Sequence, residues 1–280
     1  MIRYVDCNAT HPGDGSKSRP FRTISQAAFV AQAGDQVLVA PGVYREEVSP
    51  RWAGTKDAPI VYRSAEPRAA VITGAEPVKD WVHFQEDVWM VTIPNDAFGN
   101  YNPYTTRVWG DWLDQIVPCH TGDVFLGEKS LYEQDSLEKV LHPVEDDGSW
   151  DIEFTKYTWY TAQSEDGEST LIYANFQGKN PNLEDVEITY RPHCFYPAQE
   201  HVNYITLTGF VVTKAATQWA PPTALQDGMI GPHWSKGWVI ENCEVSNSKC
   251  SGISLGKYLQ QGNDNKWSHY KYKDGTQTQR

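Results

Sequence analysis

Pro20-Phe21-Arg22-Thr23-Ile24-Ser25-Gln26-Ala27-Ala28-Phe29-Val30-Ala31-Gln32-Ala33-Gly34, followed shortly by Val37-Leu38-Val39-Ala40, is the stretch on which the reading of the fold turns. Apolar residues at 24, 27, 28 and 31 follow the i, i+3, i+4, i+7 rule of an amphipathic helix. Pro20 lies near its start and Gly34 sits where a glycine would close it, so the spacing predicts one short helix within 20–34. After it come only short β-branched runs, at 37–40, 60–62 and 71–73, separated by turns such as Pro41-Gly42 and Gly54-Thr55-Lys56-Asp57-Ala58-Pro59. The first two runs start 23 residues apart, within the range of solenoid repeats. One helix followed only by strands does not build the repeated βαβ crossovers of an α/β sheet. A stack of coils, by contrast, has an open apolar end, and an amphipathic helix laid across it hides both the interior and the unpaired strand edge.

The expected fold class is all-β: this order of elements resembles the entry to a right-handed parallel β-helix, a pectin-lyase-like solenoid, with an N-terminal capping helix. Between about 76 and 199 the texture changes to longer alternating runs at 87–93, 123–126, 150–154, 157–160, 170–174 and 186–190, with Gly127-Glu128-Lys129-Ser130 reading as a hairpin loop. Such strands at turn-punctuated intervals predict an inserted β-sandwich domain. The solenoid pattern resumes at 204–212 and recurs at 237–245 and 252–256, and Asn242 stands where an Asn-lined turn would. The expected domains are 1–75 (cap and first coils), 76–200 (inserted sandwich) and 201–280 (continuation of the β-helix). The tail after Lys257 offers nothing that would cap a solenoid, so the expectation is a β-helix truncated within this chain.

The 280 residues carry 24 Lys+Arg against 36 Asp+Glu, a formal net charge of −12, which disfavours nucleic acid and anionic membrane surfaces as partners. With 11 Trp, 15 Tyr and 9 Phe the chain is too aromatic for a disordered one. No run of apolar residues is long enough for a membrane helix, and the first residues, Met1-Ile2-Arg3-Tyr4-Val5-Asp6, develop no apolar signal core. The 5 cysteines are odd in number and never form a Cys-x-x-Cys pair. They are read as reduced thiols of a cytoplasmic protein. Histidines in metal-ligand spacing, a phosphate-cradling glycine loop and a Gly-x-Ser-x-Gly elbow are all missing, so no metal and no cofactor is expected.

Chemistry is expected in the loop over 216–238, far longer than a turn between two strands requires. Its tryptophans either present flat faces to sugar rings or, as Trp219 and Trp238, pack over the solenoid. A second cluster, Arg107-Val108-Trp109-Gly110-Asp111-Trp112-Leu113, lies in the inserted domain, where Asp111 is either a ligand-binding carboxylate or a solvated turn residue. Glycosidic hydrolysis needs two carboxyls at a defined separation. Asp227 is the best candidate, while Glu241 and Glu244, read as three apart in one strand, point to opposite faces.

Several strings resemble the β-xylosidases of glycoside hydrolase family 120. They are Gly42-Val43-Tyr44-Arg45-Glu46, Val108-Trp109-Gly110-Asp111-Trp112-Leu113, Ile172-Tyr173-Ala174-Asn175-Phe176-Gln177-Gly178, Trp219-Ala220-Pro221-Pro222-Thr223-Ala224, Ile230-Gly231-Pro232-His233-Trp234-Ser235-Lys236-Gly237-Trp238 and Cys250-Ser251-Gly252-Ile253-Ser254-Leu255-Gly256-Lys257. The resemblance implies a parallel β-helix with a β-sandwich inserted near the N-terminus. It further implies retaining removal of xylose from the non-reducing end of xylo-oligosaccharides, with an aryl β-xyloside as an alternative substrate. Its Asp nucleophile and Glu acid/base match no position before Arg280, so this chain is expected to be the N-terminal portion of such an enzyme. Trp112, Trp219, Gln226 and Trp234 are the implied pocket or pocket-wall residues, with Asp111 and Asp227 as weaker candidates. His233 stands where relatives can have Asn, and receives no family role. Alternative readings are a non-catalytic carbohydrate-binding or scaffold protein and, on fold analogy alone, a polysaccharide lyase. A homo-oligomer is left open.

Overall fold

A computed structural model describes residues 1–108, 119–219 and 227–255. The chain divides into two units, one made of Met1–Gly74 and the chain from His193 onward, the other of Ala75–Pro192.

In the first unit the helix is Ile24–Val30, shorter than its apolar spacing predicts. Thr23 caps it: its hydroxyl accepts from the Gln26 N–H, and the Gln26 side chain accepts from the Thr23 N–H, a complete capping box. The Glu46 carboxylate accepts from the N–H groups of Ile24 (2.7 Å) and Ser25 (2.8 Å), placing negative charge at the positive end of the helix. The helix stops because Ala31 turns extended (ψ 135°). Gly34 is left to make a separate left-handed turn (φ 83°), its N–H on Ala58 O. Ile24, Ala27 and Ala28 face the core.

Two wholly parallel sheets follow. The first runs in the order Ile2–Val5, Gln36–Val39, Ile60–Ser64, Ile205–Thr208, Val239–Glu241. The second runs Gly42–Arg45, Ala70–Thr73, Val211–Ala215, Glu244–Ser248. From Gln36 on, each strand of the first sheet is followed in the chain by a strand of the second. Register is set by burial. Val37, Tyr62, Leu207 and Ile240 stand side by side on the first ladder, and Tyr44, Ile72, Val212 and Val245 on the second, all directed to one core. A third line of parallel pairing is thinner: Val48, Phe195, Ile230 and Ile253 are joined by single bridges.

The corner between the first two sheets needs a left-handed residue. Gly209 (φ 80°) supplies it in one layer and Asn242 (φ 53°) in the next, Asn being among the non-glycine residues enriched in that conformation. This corner changes one expectation. Glu241 ends one strand and Glu244 begins another, so they do not share a strand.

The second unit has two sheets. One is antiparallel and four-stranded, in the order Lys129–Ser130, Val124–Leu126, Val186–Thr189, Ala75–Pro77. The other is five-stranded, in the order Tyr132–Glu133, Thr158–Gln163, Ser169–Asn175, Val88–Pro94, Val82–Gln85, with only its first pair parallel. Val124, Val186 and Ile188 from one sheet share a core with Val91, Trp159, Ile172 and Ala174 from the other. Trp159 is fully buried and its indole N–H donates to Leu131 O (3.2 Å), so its polar edge is satisfied. The hairpin loop is only Gly127 and Glu128, since Lys129 and Ser130 already pair back on Leu126 and Phe125. The alternating run at 150–154 is not a strand. Trp150 is 91% exposed and the chain makes a 3-10 turn at Glu153–Lys156, because no neighbouring strand offers that run a surface to cover.

No helix among the described residues is long and apolar enough to cross a membrane.

Candidate functional site

The third line of pairing gathers the unusual side chains of the first unit. Val48, Phe195 and Ile230 point inward and are fully buried. Residues just before and after them, Glu47, His193, Tyr196, Asp227 and Gly231, therefore come together although 47 and 193 lie far apart in the chain.

His193 is the centre. Its Nδ1 lies 3.1 Å from Glu47 Oε1, and its Nε2 lies 3.9 Å from Asp227 Oδ1. The imidazole stacks on the Tyr196 ring (centroids 4.3 Å apart, planes at 16°), and Tyr196 stacks in turn with His233 (5.2 Å, 29°). His233 Nδ1 is 2.7 Å from Pro197 O, which makes that nitrogen the protonated donor. His233 and Trp234 both have positive φ (44° and 62°), and Asn and His are among the residue types enriched there. That is a physical reason for either to stand at 233.

Six buried side-chain polar atoms have no hydrogen-bond partner among the described residues, and three of them lie here: Tyr196 Oη, His193 Nε2 and Ser235 Oγ. Burial pushes the Tyr196 hydroxyl well above the ordinary tyrosine range, and the nearby Asp227 carboxylate pushes it further, so it stays a neutral donor. Asp227 comes near enough to act through its charge without forming a full hydrogen bond to that hydroxyl. Buried groups left this way are ordinarily completed by ordered water or ligand. Neutral phenol, imidazole and half-exposed carboxylate together suit the hydroxyls of a sugar. Glu47 and Asp227 do not form a glycosidase acid pair, because the His193 ring fills the space between them where a sugar or a water would react.

Packing holds this arrangement close. A Cβ at Gly231 would lie 2.3 Å from Ser254 Oγ and 2.7 Å from Tyr196 Cε2. Among the described residues no three His, Cys, Asp or Glu side chains converge to hold a metal ion.

The residues expected from the sequence fall differently. Asp227 belongs to the cluster. Trp234 lies beside it but is only 5% exposed, so no ring face is open to solvent. Trp219 is half-buried, its backbone N–H on Gln218 Oε1. Trp238 packs edge-on against Phe195 and donates to Val202 O (2.7 Å), which decides its role as packing. Trp112, Asp111 and Gln226 lie outside the described residues. In the second unit Arg107 bridges His120. Glu133 holds that bridge, accepting from the His120 N–H (2.9 Å) and bonding its Nδ1 (2.5 Å).

Residues 78–188 match the family model described as glycoside hydrolase 120, insertion domain. The structure solved as the complex of XylC with xylose is 43% identical, covers 94% of this chain and superposes with a TM-score of 0.85. The chain is related to glycoside hydrolase family 120. It covers 43% of the XylC chain, less than half of that relative's length. Residues 7–52 also match a protein of unknown function, DUF1565. The uncharacterized protein YwoF of Bacillus subtilis (strain 168) is 37% identical over 71 residues, 25% of this chain and 15% of its own. The insertion-domain match falls wholly within the second unit, and the XylC likeness takes in residues of both.

Proposed function

We propose that this chain is part of a β-xylosidase-type glycoside hydrolase that removes xylose from the non-reducing end of xylo-oligosaccharides with retention of configuration. The observation that carries the reading is the 43% identity, over 94% of the chain, to a structure solved with xylose. On this reading the parallel unit is a right-handed parallel β-helix and the second unit is the inserted β-sandwich. The wholly parallel, in-register ladders and the two sheets around one core support both assignments.

Retention requires two carboxyls roughly 5 to 5.5 Å apart, one as nucleophile and one as acid/base. We assign both to residues outside 1–280. The residues present do the work of binding: the Tyr196 phenol donates, and Asp227, steadied by His193, accepts from a sugar hydroxyl. Trp112, Trp219, Gln226 and Trp234 are proposed as pocket or pocket-wall groups, Trp234 acting from beneath by its bulk. All 5 cysteines are free thiols, which fits a reducing, cytoplasmic compartment.

The test is product analysis. The protein encoded by the complete reading frame should release xylose from xylobiose and from an aryl β-xyloside, with the β-anomer seen first by NMR. Residues 1–280 alone should release none. First appearance of the α-anomer, or hydrolysis by the 280-residue chain alone, refutes the proposal as stated.

A further inference from the structure

The outward face of the first parallel sheet carries a groove of about 680 Å³ that no part of the reading above uses. Strand alternation dictates what points into it. Ile60, Tyr62, Ile205 and Leu207 are turned to the core and fully buried, so Val61, Arg63, Thr206 and Thr208 face out. Register then lines up Arg63, Thr208 and Glu241 across three neighbouring strands. Gln36 borders the groove on the other side of Val61.

Two further groups are brought to the groove by left-handed backbone. Asn242 is one (φ 53°), and Arg68 is the other (φ 58°), a bulky residue for which that conformation is unfavourable. The turn holds Arg68 there: its N–H donates to Gly209 O (2.6 Å), while the Ser64 hydroxyl donates to Glu66 O (2.5 Å) and accepts from the Ala70 N–H (3.2 Å). Strained residues of this kind persist where surrounding structure over-determines them, and they cluster at ligand sites.

The side chains themselves are uncommitted. Among the described residues Arg63, Arg68, Thr206, Thr208, Glu241 and Asn242 have neither a hydrogen-bond nor an ion-pair partner for their side chains. Two other guanidiniums on the chain are matched, Arg3 with Asp35 and Arg191 with Glu76. Two unmatched guanidiniums in one concavity, on a chain of net charge −12, mark a place for an anion. Glu241 at the opposite side repels a second negative charge, so the ligand's acid is directed to the arginine end and its neutral hydroxyls to the rest.

We propose that this groove binds a carboxylate-bearing oligosaccharide, its uronate on Arg63 and Arg68 and its sugar hydroxyls on Thr206, Thr208, Asn242 and Glu241. Only the identity of the sugar backbone as xylan-derived rests on the xylosidase reading.

Calorimetry on the full chain tests it with four probes: xylotriose bearing one glucuronic acid, neutral xylotriose, trigalacturonate and inorganic phosphate. The acidic xylotriose should bind about tenfold more tightly than the neutral one, as expected for one charge-assisted contact, and less tightly as salt is raised. The Arg63→Gln/Arg68→Gln variant should lose that preference, while Lys17→Gln/Lys56→Gln, with the same change of net charge at other exposed sites, should keep it. Circular dichroism checks that both remain folded. Equal binding of acidic and neutral xylotriose, an undiminished preference in the arginine variant, or phosphate competing as strongly as either acidic sugar overturns the proposal. Binding of trigalacturonate without binding of the acidic xylotriose upholds the groove as an acidic-sugar site and counts against the xylan assignment alone.

Discussion

Gly231→Ala adds one methyl group at a position whose backbone accepts alanine but whose surroundings do not. The residue is outside the left-handed region, so the cost is steric. The new Cβ would lie 2.3 Å from Ser254 Oγ and 2.7 and 3.0 Å from two carbons of the Tyr196 ring. Ser254 can rotate its hydroxyl aside. Tyr196 has less freedom, being 6% exposed and stacked with both His193 and His233. Overpacking of this kind costs about 1–3 kcal/mol, and the hemmed ring argues for the upper half of that range. For a unit of this size that is a fall in Tm of about 4–10 °C. Thermal and urea unfolding would measure it, with Gly148→Ala as the methyl control, since there the nearest atom is the mobile Asp146 Oδ1 at 3.2 Å. Near-UV circular dichroism should also change as Tyr196 shifts against its stacked neighbours. A Gly231→Ala protein that unfolds within a degree of the parent, with an unchanged aromatic spectrum, refutes the account of this cluster as rigidly packed.

Asp35 gives a pH dependence. Its burial favours the neutral acid, but the Met1 ammonium (2.9 Å), the Gln32 N–H (3.0 Å) and Arg3 Nε (3.0 Å) outweigh it and lower its pKa below 3.8. A lowered folded pKa contributes stability above the unfolded value and loses it as pH falls through the folded one. Asp35→Asn should therefore flatten the acid limb of the stability curve below about pH 4; an unaltered acid limb would disprove the linkage. Thr23→Ala removes one half of the capping box and should cost about 0.5–2 kcal/mol in urea titrations, with a neutral result contradicting the cap. The Tyr62 hydroxyl is buried with no hydrogen-bond partner among the described residues, so Tyr62→Phe should be neutral or stabilising by about 1 kcal/mol, and a loss larger than that would reveal a partner.

Much of the architecture was legible because it is written in local pattern. The runs at 37–40, 60–62 and 71–73 fall on strands, and the altered texture after 76 falls on a separate unit. Two kinds of element were not legible. The third line of pairing consists of single bridged residues, too short to show a period. The run at 150–154 alternates as a strand would but has no neighbour to pair with, and tertiary context overrides such patterns. The helix was placed correctly and made too long, since Ala31 keeps an apolar side chain in the core while its backbone is already extended. At the candidate site the loop residue Asp227 stood out as a carboxylate in a long loop. His193, Tyr196 and Glu47 did not, because nothing in the spacing of 47 and 193 announces that one parallel ladder brings them into contact. The long Trp-rich loop drew attention to the stretch that carries Asp227, whereas the 5% exposure of Trp234 and the packing of Trp238 on Phe195 depend on contacts that no local pattern displays.

The Thr213 carbonyl receives both the Gly74 N–H (3.1 Å) and the Cys194 thiol (3.4 Å). These are the residues at which the chain leaves the parallel unit and comes back to it, so the exit and the return are pinned to one atom. A detour that opens and closes at a single point asks almost nothing of the ladders on either side, whatever its length. The second unit is in that sense a cassette: a short glycine bridge across the gap should leave the parallel strands in register, and other domains whose ends lie as close should be accepted in its place.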